Sequence, residues 1–282
     1  MKNKKLCYLC EQESDLVKSH LIPKFVFKKM ISEGGLLRSA TTPNFRMQDG
    51  LKKELLCDNC ELLFSQRERV FSETIFKQVL DQGKGSFVYD SNFYYFAVSI
   101  LWRVLVHHLD NRSNKKFDEL LNGANQEWKK YLLNPEDGLA DFGEIHLLIS
   151  DVVESSEDVP QLNRYLIHAS DGTIVSGSED CLVYVKFFQF LLFAWITPRD
   201  ISVWENTKIE LGGGEFCGEQ KVEQCISDFV ISRARQVSES FKNLNEKQQS
   251  KIDDFIEMNS NRIVNSNLGK AISADFSTNK KR

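Results

Sequence analysis

The sequence predicts an α+β fold, and three observations carry that prediction. Two Cys-x2-Cys pairs, Cys7/Cys10 in CYLC and Cys57/Cys60 in CDNC, lie within the first 60 residues. Beyond them apolar residues recur at helical spacing, as in Leu63, Phe64, Phe71, Ile75 and Val79. Residues 144–212 change to runs that read as strands, after which helical patterns return. The expected order is an N-terminal metal-bound module, then helices, an antiparallel sheet and C-terminal helices.

The cysteine pairs come first. Four thiolates in two such pairs are the ligand set of a closed tetrahedral zinc site. The 46 residues between them leave room for a strand, a turn and a second site. A disulfide framework suits a secreted chain, and the charged opening MKNKK is not followed by the apolar stretch of a signal peptide. A dithiol redox motif normally comes as one pair beside a βαβ unit. Structural zinc in a reducing cytoplasm is therefore expected. Within the loop, LVKSHLIPKF reads as a short strand ending in a turn at Pro23, and FVFKKMI as a helical turn or strand. Gly34-Gly35 and TTPN read as loops, and LKKELLC as a strand running into the second pair.

After Cys60, ELLFSQRERVFSETIFKQVLDQ predicts a helix of about five turns that stops at the glycines of GKG. A helix over Asn92–Leu109 is apolar on most sides, which predicts burial between other elements. One or two shorter helices follow over 110–135, stopped at Asn134-Pro135. EIHLLISDVV, RYLIHAS, TIVSG and KIELGG predict strands, with a hairpin turn at Ser170-Asp171-Gly172. Cys181–Ile196 reads as buried strand or helix, because it is short for a membrane span and Lys186 interrupts it. Helices are expected again at about 217–243 and 246–264. Three regions result: a zinc module over 1–80, an α+β region over 81–265 and a mobile tail over 266–282.

Hydrophobic residues make up 41% of the 282, enough for a substantial core and against disorder. The net charge of −4 argues against indiscriminate nucleic-acid binding, but it is unevenly spread. Residues 1–53 hold 11 Lys+Arg against 5 Asp+Glu, while the rest of the chain is net −10. A basic patch on a metal-bearing module suits a polyanionic partner. It also suits a zinc bound by four thiolates, which is itself an anion.

Cys7-x2-Cys10, then Ser19-His20-Leu21-Ile22-Pro23, then Leu55-Leu56-Cys57-x2-Cys60 leading into a helix, together resemble the HNH endonuclease family over about a quarter of the chain. The resemblance implies a ββα-metal, treble-clef-like finger whose cysteines hold a structural zinc. It implies His20 as general base for phosphodiester hydrolysis, a separate Mg²⁺ or Mn²⁺ ion beside it, and DNA as substrate, RNA less so. Sequences with SHLIP or SHIIP followed by KF also resemble uncharacterised bacterial proteins, some linked to phage defence. The chemistry is coherent. A neutral imidazole can take a proton from water near pH 7, and the charge developing on phosphate needs a cation. Lys18, Lys24, Arg67 and Arg69 are the residues expected to contact the phosphate backbone.

The chain departs from the family in three places. Ser19 stands where Asp, Glu or His usually ligates the catalytic metal. LKKELLC lacks the usual Asn, though Asn44 and Asp49 lie upstream. Glu61 follows the second pair in place of the common His or Asn; it is a candidate ligand for a hard cation, and an acid at a helix start also suits the macrodipole. The other histidines read as structural: His107 and His108 point apart on an apolar helix, and His146 and His168 lie on expected strands. Cys181, Cys217 and Cys225 read as core thiols. Trp102, on one helix with Ser99 and Arg103, reads as core, and Gly212–Gly214 as a turn that lacks the lysine of a phosphate loop. Two functional readings follow. One is a metal-dependent HNH-like endonuclease; the other is a catalytically inactive zinc-finger scaffold that binds nucleic acid or a protein partner, with no membrane role in either.

Overall fold

A computed structural model describes residues 4–83, 85–109, 112, 114–139, 141–154 and 159–280, without the side chains of 278–280. It is a mixed α+β structure. The antiparallel pair β1 (Lys5–Leu6) and β2 (Glu13–Ser14) carries the first cysteine turn between its strands. β3 (Val17–His20) ends at buried Leu21 and Ile22, and Pro23 opens α1 (Lys24–Ser32). The fixed φ of proline suits a helix start, and Val26, Phe27 and Met30 give a buried face at helical spacing, which makes FVFKKMI helix rather than strand. A hairpin of β4 (Arg38–Ser39) and β5 (Thr42–Arg46) follows. β6 (Lys52–Leu56) then returns to pair antiparallel with β3, setting His20 opposite Lys52 and Ser19 opposite Lys53. The return passes Gly50, where a Cβ would fall 2.0 Å from Phe27 Cε2. α2 (Asp58–Phe71) begins directly after Cys57, with Asp58 and Glu61 in the first turn, where the helix dipole favours acids.

The long helix expected after Cys60 runs in three pieces. α2 passes through one π turn at Ser72–Phe76 into α3 (Lys77–Gln82), and Gly83 ends it in the left-handed region at φ 64°. β7 (Phe87–Asp90) leads into α4 (Ser91–Leu109), whose side chains from Phe93 to Val106 are all buried. α5 (Asp118–Leu133) packs along α4 and stops before Pro135. Phe71 stacks on Phe96 of α4 at 4.1 Å between ring centroids. One cluster of buried side chains runs from Cys7 to Phe216 and so joins the cysteine-bearing residues to the sheet.

After α6 (Leu162–His168) the chain completes a five-stranded antiparallel sheet. Its strands are β8 (Ile145–Ile149), β9 (Ser170–Ser176), β10 (Cys181–Phe187), β11 (Phe190–Trp195) and β12 (Lys208–Ile209), in the order β12-β8-β11-β10-β9. β13 (Gly213–Phe216) pairs separately with β7. The helices α7 (Gln224–Phe241), α8 (Glu246–Met258), α9 (Ser260–Val264) and α10 (Asn267–Lys280) close the chain. Among the described residues no helix is long and apolar enough to cross a membrane.

Several expectations change. The apolar run 181–196 is a hairpin, turned at Phe188-Gln189 with Phe188 at φ 48°. Val183, Val185 and Phe187 join the core around α4 while Leu182 and Tyr184 join a second core with Trp204 and Val230, so both faces are covered and no alternation shows in the sequence. RYLIHAS, expected as a strand, is mostly α6. The amides of Asn163 and Arg164 at its N-terminus donate to the carboxylate of Asp275, a cap brought from far along the chain that no local pattern could reveal. That cap comes from α10, which replaces the mobile tail expected over 266–282: Leu268 and Ala271 are buried and the helix packs on α6. Residues 281–282 lie outside the described set. The turn expected at Ser170–Gly172 is the start of β9, and the chain reverses instead between Gly177 and Asp180.

Candidate functional site

The Cys7–Cys10 turn is pinned to the end of β6. Tyr8 N donates to Leu55 O, and Cys57 N donates to Cys7 Sγ at 3.4 Å. With Cys57 and Cys60 at the start of α2, the four sulfurs lie within 4.8 Å of one another, Cys10 and Cys57 at 3.8 Å. A tetrahedron of Zn–S bonds of about 2.3 Å has S···S edges of about 3.8 Å. The cluster could therefore hold a metal ion such as zinc. Its protonation shows why a cation belongs there. A hydrogen bond from the Cys60 thiol draws Cys7 well below the usual thiol range, against burial and with help from the Cys10, Cys57 and Leu9 amides. The same contact pushes Cys60 up, and burial pushes Cys10 up. The thiolate is the metal-binding form of cysteine, and a bound divalent ion favours ionisation of its ligands.

Ser19 and His20 are neighbours on β3, so their side chains leave opposite faces of the strand. Ser19 is fully buried, and its Oγ donates to Glu61 Oε2 at 2.6 Å. The His20 ring lies against Phe27, with Nε2 3.0 Å from Asp49 Oδ2. The two atoms are within ion-pair reach without being aligned as a full hydrogen bond. Asp49 also receives Lys52 Nζ at 2.8 Å and Gly50 N at 2.9 Å. Although burial opposes its charge, Lys52, His20 and Gly50 hold its carboxyl well below the usual carboxylate range. A carboxylate only accepts, so an imidazole that donates to Asp49 through Nε2 would carry its lone pair on Nδ1. Behind the strand, Arg103 of α4 donates through Nη1 to His20 O at 2.9 Å and pairs with Glu68 Oε1 at 2.8 Å.

No family model, curated protein or solved structure matches this chain.

The expected site residues are thus only partly brought together. Among the described residues, the four cysteines are the one group of three or more His, Cys, Asp or Glu whose ligand atoms come within 4.8 Å of one another. His20 and Glu61 belong to no such group. Asp49, Glu61 and Glu68 are each committed to different partners. The side chains present therefore fit a zinc-type ion at the cysteines, and they do not assemble a donor set for Mg²⁺ or Mn²⁺ beside His20. Of the residues expected to meet phosphate, Lys18 and Lys24 are exposed. Arg67 lies over the Tyr95 ring at 4.8 Å, and Arg69 pairs with Glu73 at 3.1 Å.

Sequence reasoning gave no role to Asp49, Glu68 or Arg103. Asp49 is one of few acids in a basic stretch, and Arg103 is the lone charge inside an apolar helix, so both carried a signal; Glu68 carried none. Three of the remaining histidines have structural partners: His108 with Gly172 O, His146 with Thr207, and His168 with Glu33. His168 lies on α6 and not on a strand. Cys181 is buried as expected, whereas Cys217 and Cys225 are exposed rather than core thiols, because they lie on either side of a loop leading into α7.

Proposed function

We propose that the N-terminal region is a zinc-bound ββα-metal, treble-clef-like finger that acts as an HNH-like endonuclease, hydrolysing phosphodiester bonds in DNA and less readily in RNA. The observation that carries this reading is the contact of His20 with Asp49 at the end of β3, on a strand pair tied to the four cysteines. In this reading β3, β6 and α2 are the ββα unit and zinc stiffens it. His20 takes the proton of the attacking water at Nδ1, while Asp49 holds the other nitrogen and stabilises the imidazolium that forms. Catalytic hydrogen bonds are often poorly aligned before substrate binds and tighten in the complex. Lys18 and Lys24 meet the phosphate backbone, and Arg67 and Arg69 add to them by local release from their present partners. The reading includes an Mg²⁺ or Mn²⁺ ion for which no donor set is assembled, so the part derived from the chain itself is the base and the cations.

The scaffold reading keeps one specific observation in its favour: Glu61, the candidate ligand for a second ion, accepts a hydrogen bond from Ser19 instead. Cleavage of plasmid and single-stranded DNA with Mg²⁺ or Mn²⁺ separates the two. The nuclease reading expects cutting by wild type, none after EDTA, and a loss of about 10²–10⁴-fold in His20→Ala with zinc retained. No cutting by any sample sinks the nuclease and leaves a binding scaffold.

A further inference from the structure

α4 buries every side chain from Phe93 to Val106, and Arg103 is the one charge among them. Its guanidinium does not run out to solvent. The residue is 1% exposed and lies over the Phe64 ring of α2. Nε donates to Ser99 O at 3.2 Å within the same helix, which fixes the stem. Nη1 then faces two acceptors, His20 O at 2.9 Å and Glu68 Oε1 at 2.8 Å. Nη2 is buried with no hydrogen-bond partner among the described residues. A buried, idle N–H costs free energy, and an apolar side chain of similar volume often serves packing as well or better. What arginine alone supplies here is a rigid grip on the backbone carbonyl of His20. That carbonyl is bonded to the Cα that bears the imidazole, so holding one directs the other.

We infer that Arg103 is a positioning residue for His20. Glu68 and Ser99 hold the guanidinium, and the guanidinium holds the backbone at His20 so that the imidazole keeps its place against Asp49. The role rests on His20 being the base of the proposed reaction. It also makes the site depend on a helix outside the finger, since Arg103 comes from α4 while His20 and Glu68 come from β3 and α2.

The test uses the full chain with isotope-labelled histidine, whose five imidazoles can be assigned by single substitutions. R103K keeps a buried cation beside Glu68 but lacks the rigid guanidinium plane, fixed through Nε on Ser99 O, that aims Nη1 at both acceptors. The expected result is that the His20 signals of R103K shift or broaden while those of His107, His108, His146 and His168 stay in place, with metal content unchanged. DNA cleavage then falls about 10–100-fold in kcat, with KM within about twofold, the pattern of a misplaced base. E68Q weakens the anchor and leaves Arg103 present. It gives the same pattern to a smaller degree, and it carries the test if R103K does not fold. Unmoved His20 signals in the folded variants, or a loss confined to KM, overturn the assignment. If wild type does not cleave DNA, the nuclease reading fails, and the His20 signals still decide whether Arg103 fixes this residue.

Discussion

Between Lys5 and Leu56 the buried apolar side chains of the main cluster are Leu9, Ile22, Val26, Phe27, Met30, Leu55 and Leu56. Around α4 and the sheet they are rings: Phe71, Phe76, Phe93, Phe96, Phe187 and Phe190 stack or meet edge-on at 4.1–6.5 Å. The first region has the cysteine cluster, short strand pairs and a thin set of apolar contacts, with Phe25 reaching Phe71, Phe76 and Phe96, and it carries the polar residues that could do chemistry. The second holds its shape by apolar area and, among the described residues, gathers no group of three His, Cys, Asp or Glu ligands. Small regions with thin cores need a covalent or metal staple. The comparison therefore teaches where a metal matters and where it does not.

The largest expected effect follows directly. Structural zinc contributes on the order of 10–16 kcal/mol in peptide models. Cys57→Ser, or exhaustive chelation, should abolish metal binding and open Lys5–Leu56 to protease. α2 should stay docked on α4, because Phe64 and Phe71 belong to the aromatic core. Protease mapping checks this, and loss of the sheet signal along with the finger would mean that the two regions are not separable.

How much of this was legible in the sequence follows the same division. The cysteine cluster was readable because ligand spacing is a local property of the chain. His20 could be singled out, but its surroundings could not: Asp49 reaches it from beyond α1 and the β4–β5 hairpin, and Arg103 across 83 residues. The helix over Asn92–Leu109 was legible because it is apolar on most sides. RYLIHAS was misread because its deciding partner, Asp275, lies more than a hundred residues away. The run 181–196 stayed ambiguous because a sheet covered on both faces shows no period. Serine beside histidine gave the missing metal ligand as a departure, and only the fold shows that this serine is spent on Glu61.

Next in size is the aromatic core itself. Phe71→Ala removes the ring between Phe93 and Phe96 and should cost about 3–5 kcal/mol, read as a lower denaturant midpoint, with metal still bound in the folded fraction. A cost below about 1 kcal/mol would show that the site collapses around the gap.

The third prediction sets the sheet against the finger by pH. His146 is 2% exposed, and burial holds it down to about 4, helped by Lys208. The unfolded chain protonates this group near its ordinary value of ~6.5. Its contribution is therefore complete above that value and is lost as pH falls toward 4, on the order of 3 kcal/mol in all. Urea unfolding followed by tryptophan fluorescence, with Trp204 only 4.7 Å from the His146 ring, should weaken between these limits. His146→Gln should flatten that slope. A slope unchanged by the substitution would assign it to another buried histidine such as His168, which burial also holds below its ordinary value.

Ser19→Ala is the smallest. Loss of one buried hydrogen bond to the Glu61 carboxylate should cost about 1–3 kcal/mol. Metal content should not change, since Ser19 touches none of the sulfurs.

Metal analysis of purified wild type, Cys57→Ser and His20→Ala separates scaffold from chemistry most directly. One zinc per chain in wild type and in His20→Ala, and none in Cys57→Ser, is the result this account predicts. Zinc lost from His20→Ala would make the histidine a structural ligand and contradict its assignment as the base.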